Sequence, residues 1–188
     1  VHAANGPDPD LDADRDQWDN TFSIVARDPA TGAVGGAVST ARLSVGNRVL
    51  LVEFGLGAVA SQANTNTVLA RDAIDRLRQG ATAAEALDAA LLADEKREER
   101  QLSVMSSKGT QAAFTGSKPD DFKGYIIGKD AVVAGNILVG RETLEAMVAA
   151  FENTPGTLAD RIMTALEAGQ KAGGDRRGKI SAAIVVLN

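Results

Sequence analysis

Cysteine is absent from all 188 residues, and the single histidine is His2. Without thiols there is no cysteine nucleophile, no disulfide and no thiolate metal site, and the redox compartment is left open. With imidazole confined to the first residues, the rest of the chain has neither a Ser-His-Asp triad nor a histidine-based zinc site. Aromatic residues make up only 4%, with Trp18 the one tryptophan. No apolar run approaches the roughly 20 residues a membrane-spanning helix needs, so no membrane span is expected.

What is present points to one domain of ordinary size. Apolar residues make up 44% of the chain, enough to bury a core, and the net charge is −5. Acidic balance with dispersed basic residues speaks against nucleic acid as a partner. The chain as given begins at Val1, and Val1-His2-Ala3-Ala4 has the small residues that flank a signal-peptide cut. Secretion or a periplasmic location is therefore the expectation, with the cytoplasm as the alternative.

Residues 1–20 read as an acidic arm or propeptide, and residues 21–188 as the domain. The arm sets Asp8, Asp10, Asp12, Asp14, Asp16 and Asp19 against Arg15 alone, with Gly6, Pro7 and Pro9 among them. Such a segment buries too little apolar surface to order itself, so a solvated arm is the plain reading. Alternate carboxylates at Asp8, Asp10 and Asp12 also resemble a calcium loop, though Ala13 and Asp19 stand where such a loop wants glycine and glutamate. No other cofactor is expected. Trp18 would anchor the arm on its own domain or on a neighbouring subunit.

Thr21 to Arg27 alternates Phe22, Ile24 and Ala26 with a mixed face and reads as the first strand. A turn at Asp28-Pro29-Ala30-Thr31-Gly32 leads to a second strand, Ala33 to Ser39, in which Gly35 and Gly36 imply close approach of another layer. Arg48 to Phe54 and Gly57 to Gln62 read as a further pair. Asn64 or Asn66 caps a helix with Ala70, Ala73, Ile74 and Leu77 on one face, and Thr82 with Glu85 forms a capping box for the next. Strands follow at Gln101 to Ser106, Gln111 to Thr115, Tyr125 to Ile127 and Ala131 to Ile137. Two helices come after them, the second capped by Thr157, and Ile180 to Leu187 closes the chain as a strand. Runs of strands alternating with helix pairs predict an α+β domain with antiparallel sheets and helices packed outside.

Several ordered motifs then carry a resemblance: Thr-Phe-Ser-Ile-Val-Ala-Arg-Asp-Pro from Thr21, Gly57-Ala58-Val59-Ala60-Ser61-Gln62-Ala63, Phe114-Thr115-Gly116, Gly135-Asn136-Ile137-Leu138, and Gly173-Gly174-Asp175-Arg176-Arg177-Gly178-Lys179. Together they resemble the DUF1028 family, a domain of unknown function, over Thr21 to about Val186. The resemblance implies an N-terminal-nucleophile (Ntn) hydrolase-like fold, a four-layer αββα sandwich of two antiparallel sheets between helix layers. It also implies that Thr21, once exposed as a first residue, would attack an amide carbonyl with its own α-amine as base, a site that needs no histidine. Family members typically begin Met-Thr-Phe-Ser. Here twenty residues precede Thr21, so its amine is blocked until the Asn20–Thr21 bond is cut.

Around that nucleophile the sequence offers Asn136 as an oxyanion donor, or as an amide satisfied by a turn, and Asp175 with Arg176 as groups that orient the amine or bind a substrate carboxylate, or as a structural ion pair. Ser39, Arg42, Gln62 and Asn64 leave strand ends where a cleft would form and are the candidate substrate-binding residues. Arg42 stands where relatives often carry lysine. The expected activity is hydrolysis of a small amide or peptide. The alternative is a non-catalytic extracellular binding or assembly protein that uses its arm, and by resemblance a homo-oligomer is expected in both cases.

Overall fold

The computed structural model describes residues 21–119 and 122–188. The arm of residues 1–20, with its calcium-like aspartates, Trp18 and Asn20, lies outside the described residues.

Two antiparallel sheets form the centre. One orders its five strands as β7 (Phe122–Gly128), β8 (Ala131–Leu138), β1 (Thr21–Arg27), β2 (Val34–Thr40) and β9 (Ser181–Leu187). The other orders β3 (Leu50–Glu53), β4 (Gly57–Ala63), β5 (Arg100–Ser106) and β6 (Gln111–Thr115). Helices α1 (Thr67–Arg78) and α2 (Ala83–Leu92) cover the four-stranded sheet, and α3 (Glu142–Asn153) and α4 (Leu158–Lys171) cover the five-stranded one. The result is the four-layer α+β sandwich expected from the sequence. Among the described residues no helix is long and apolar enough to cross a membrane.

Strand alternation assigns each side chain to a layer. In β1, Phe22, Ile24 and Ala26 pack on Met147, Phe151 and Ile162 of the helices, while Val25 points the other way, into the layer between the sheets. There it meets Val38 and Val132 of its own sheet and Ala58, Ala60 and Met105 of the other. On the far side, Val59, Leu102 and Val104 pack under Ile74, Leu77, Leu87 and Leu91. Gly36 permits this closeness: a Cβ there would lie 2.9 Å from the Ile24 carbonyl and 3.2 Å from Leu50 Cδ2 of the opposite sheet.

Helix starts follow local chemistry. Asn66, and not Asn64, caps α1 by accepting from the Val68 amide, and Thr82 and Thr157 form reciprocal capping boxes with Glu85 and Asp160. Two elements differ from the sequence reading. Instead of a strand from Arg48, residues Gly46–Val49 make a helical turn, and only Leu50–Glu53 is extended. The turn buries Val45 and Val49, four residues apart, on one side between the sheets, and burying that pair outweighs local strand preference. Pairing with β8 likewise extends the expected Tyr125–Ile127 strand to Phe122–Gly128, with a bulge between Phe122 and Gly124.

Candidate functional site

Thr21 opens the central strand of the larger sheet. Its register neighbours are Asn136 of β8 on one side and Thr40 of β2 on the other. All three are fully buried, and alternation turns them toward the space between the sheets. The inward positions of β4 and β5 at this end are also polar: Gln62, Gln101 and Ser103.

Gln101 organises the group. Its Nε2 donates to the Gly135 carbonyl at 2.8 Å, the Gly124 carbonyl at 3.1 Å and Thr115 Oγ1 at 2.8 Å. Backbone carbonyls can only accept, so this end of the amide must be the NH2. Its Oε1 therefore faces the other way, accepting from Gln62 Nε2 at 2.6 Å and Asn136 Nδ2 at 3.0 Å. That engages one hydrogen of each NH2 and fixes both amides, leaving Gln62 Oε1 and Asn136 Oδ1 buried without a hydrogen-bond partner among the described residues. The Ser23 and Ser103 hydroxyls are buried and unpartnered in the same inter-sheet layer. Asn136 thus offers an acceptor to its neighbours. One of its two amide hydrogens is held by Gln101.

Backbone strain accompanies these strand ends. Ala63 closes β4 at φ 69° and Ile137 follows Asn136 at φ 52°, a left-handed conformation that is costly for a β-branched residue. The kink folds the Leu138 side chain back over Gly135, where a Cβ would come within 2.6 Å of Leu138 Cδ1.

The loop after α4 crosses the same end of the sheet. Asp175, its side chain wholly buried, accepts from the Ala41 amide at 3.2 Å and the Arg177 amide at 2.9 Å, and pairs with the Arg177 guanidinium at 3.4 Å. It also bridges Leu138, and the Arg176 amide donates to the Ile137 carbonyl at 3.3 Å. Asp175 therefore clamps this loop to the strands that flank Thr21, while the Arg176 side chain lies at the exposed rim.

The remaining candidates divide among other tasks. The Arg42 carbonyl accepts from Ser181 Oγ at 2.5 Å, tying the loop after β2 to the start of β9. Asn64 belongs to a polar clamp outside the inter-sheet cluster: its Nδ2 donates to Glu99 at 2.7 Å, and its carbonyl accepts from Arg100 Nη1 at 2.6 Å. Arg100 also holds Asp94 at 2.7 Å, and that hydrogen bond keeps the Asp94 carboxyl below its usual range. The Asn64 amide does the same for Glu99. Ser39, opposite Phe22 in register, turns toward the helices and lines a different cavity. Of the eight expected residues, the structure places Thr21, Asn136 and Gln62 in or beside one buried cluster, with Asp175 and Arg176 above its edge.

The profile of the Family of unknown function (DUF1028) matches residues 21–188. The chain belongs to the DUF1028 family. A crystal structure of another DUF1028 protein, SPO2555 from Silicibacter pomeroyi, superposes with a TM-score of 0.85 at 39% identity, covering 90% of this chain and 74% of that one. Among curated proteins nothing matches the chain.

Three of the motif stretches shared with DUF1028 meet at the end of the sandwich just described: the close of β4, the close of β8, and the Gly173–Lys179 loop. Gln101 was not singled out by the sequence reading. Its signal was available in the alternation of Gln101, Ser103 and Met105 against Leu102 and Val104, which puts polar groups on a face that is otherwise core.

Proposed function

We propose that this DUF1028 protein is an N-terminal-nucleophile type hydrolase of a small amide or peptide, with Thr21 as nucleophile after a cut between Asn20 and Thr21. The observation that carries this reading is the position of Thr21: buried, first in the central strand, facing the inter-sheet layer, with the unpartnered Asn136 Oδ1 on the neighbouring strand. Residues 21–188 contain no histidine or cysteine, so a base must come from elsewhere, and a freed α-amine on the same residue would supply it.

The chemistry balances on that one residue. The neutral α-amine takes the proton from Oγ as Oγ adds to the substrate carbonyl, giving a tetrahedral intermediate. The carbon–nitrogen bond then breaks, and the proton passes from the ammonium to the leaving amine. Water, deprotonated by the same amine, hydrolyses the Thr21 ester and releases the acid. Asn136 Oδ1 would accept from the α-amine and aim its lone pair at Oγ, and Arg176 at the rim would meet a substrate carboxylate.

The test is intact mass and N-terminal sequencing after prolonged incubation at neutral pH, followed by an amidase screen. A new terminus at Thr21 with amide hydrolysis is expected, with both lost in Thr21→Ala and both kept in Thr21→Ser. A chain that stays intact, or a cut chain with unchanged hydrolysis in Thr21→Ala, overturns the reading. An intact chain would direct attention to binding or assembly through the acidic arm.

A further inference from the structure

Each sheet ends in two edge strands, and three of the four edges are guarded. β3 has only four residues and ends in Glu53, which pairs with Arg78. β6 has five, with the Arg97 guanidinium 5.1 Å from the Phe114 ring. β7 carries Lys123 and a bulge between Phe122 and Gly124. Short length, charge and bulges are the devices that keep an open edge from pairing with another chain. β9 has none of them. Its seven residues, Ser181–Leu187, hold no charge, proline or glycine, and they pair with β2 in unbroken register, so their other side is the end of the sheet.

Apolar surface surrounds that edge. Ala182 and Val185 are the exposed residues of the strand, one on each face. Ile180, just before it, is 63% exposed. The Ser181 hydroxyl holds the loop after β2 against the start of β9, donating to the Arg42 carbonyl and accepting from the Val45 amide at 3.3 Å, and Leu43 of that loop is 73% exposed. On the helix side, Met163 and Leu166 of α4 form an open groove with Ala182. The strand is also self-complementary. Small residues, Ser181, Ala182 and Ala183, fill the half before Ile184, and large ones, Val185, Val186 and Leu187, fill the half after it. When two such strands run antiparallel about a twofold axis at Ile184, every small residue meets a large one: Ser181 with Leu187, Ala182 with Val186, and Ala183 with Val185.

We propose that β9 is the contact of a homodimer, in which a second copy lays its β9 antiparallel to the first and joins the two five-stranded sheets into one of ten. Val186 of the partner subunit, opposite Ala182, then covers the groove beside Met163 and Leu166. A seven-residue strand is about 23 Å long, and with α4 and β3 packed against its two faces at about 10 Å per layer the meeting edge covers roughly 700 Å². A stable interface takes about 800 Å² from each partner, so the edge is of suitable size. The chain's own acidic arm has the wrong chemistry for it. Six aspartates would set charge against apolar side chains, and Pro7 and Pro9 lack the N–H that a ladder needs. The contact stands apart from any chemistry at Thr21.

The test is the mass of the full chain in solution, by light scattering and sedimentation across a concentration series. A dimer of about 39 kDa, twice the 19.5 kDa chain, is expected. The double variant Ala182→Lys, Val185→Lys sets like charges across the twofold axis and should weaken the dimer by about tenfold or more, with dispersed amide chemical shifts showing that the monomer stays folded. Because the chain has no cysteine, Val185→Cys places a lone thiol about 7–8 Å from its symmetry mate, and a short bis-maleimide should cross-link the pair. Leu92→Cys, on the helix layer of the smaller sheet, should stay uncross-linked. A monomer throughout, a particle holding a different protein at this edge, a dimer that withstands both lysines, or cross-linking at Leu92→Cys equal to that at Val185→Cys overturns the proposal.

Discussion

Gln101 shows how one side chain can set the chemistry of its neighbours. Two backbone carbonyls fix its amide orientation, and that orientation fixes the amides of Gln62 and Asn136. Gln101→Leu would remove the acceptor for two buried NH2 groups and the donor for two buried carbonyls. A loss of about 3 kcal/mol or more is expected, measured by urea unfolding. Gln101→Glu tests polarity more finely, because a carboxylate keeps the acceptor for Gln62 and Asn136 but faces the Gly124 and Gly135 carbonyls with oxygen. It should destabilise comparably, and recovery of stability in that variant would mean that the amide orientation does not matter.

At the scale of elements, local signals and tertiary demands part company. The starts of α2 and α4 were legible because a capping box is short-range chemistry, complete within four residues. Thr82→Ala and Thr157→Ala should each cost about 1 kcal/mol in thermal or denaturant melts, additively, since the two caps sit on opposite layers. The segment from Arg48 reads as strand in the sequence because its β-prone residues outvote a Val45/Val49 spacing whose value appears only when two sheets close over it. The site divides in the same way. Thr21 and Asn136 stood out in the sequence, one by its place at the start of the first strand and the other as an amide in an apolar run. The Gln62–Gln101 contact joins residues 39 apart, so it has no local pattern to find.

For the whole molecule, acid is the informative stress. Asp94 is held below its usual range by the Arg100 hydrogen bond, Glu99 by Asn64, Glu98 by the Ser117 amide, and Glu85 and Asp160 by their capping threonines. A carboxyl lowered by folding adds stability above its unfolded value and loses it as pH falls through the folded one. The ordinary values are 3.8 for aspartate and 4.5 for glutamate, so melting temperature should hold level from pH 7 to about 5 and fall below that. Most of these groups are exposed and screened. The Asp94–Arg100 pair, with side chains 10% and 8% exposed, carries the largest share. In Asp94→Asn the melting temperature should be lower at neutral pH, and its gap to the parent should narrow at pH 3. A gap that stays constant would show that the pair does not respond to protonation.

The strand order of the larger sheet also bears on how the protein answers tension. β1 and β9 run in the same direction on either side of β2, so Thr21 and Leu187 lie at opposite ends of the sandwich. The hydrogen bonds of an antiparallel ladder lie perpendicular to its strands. A pull applied at those two residues therefore loads the β1–β2 and β2–β9 ladders in shear, every rung at once, where a pull across a hairpin would open them one after another. Along the axis that runs from the Thr21 end to the Leu187 end, the domain is built to resist being drawn out.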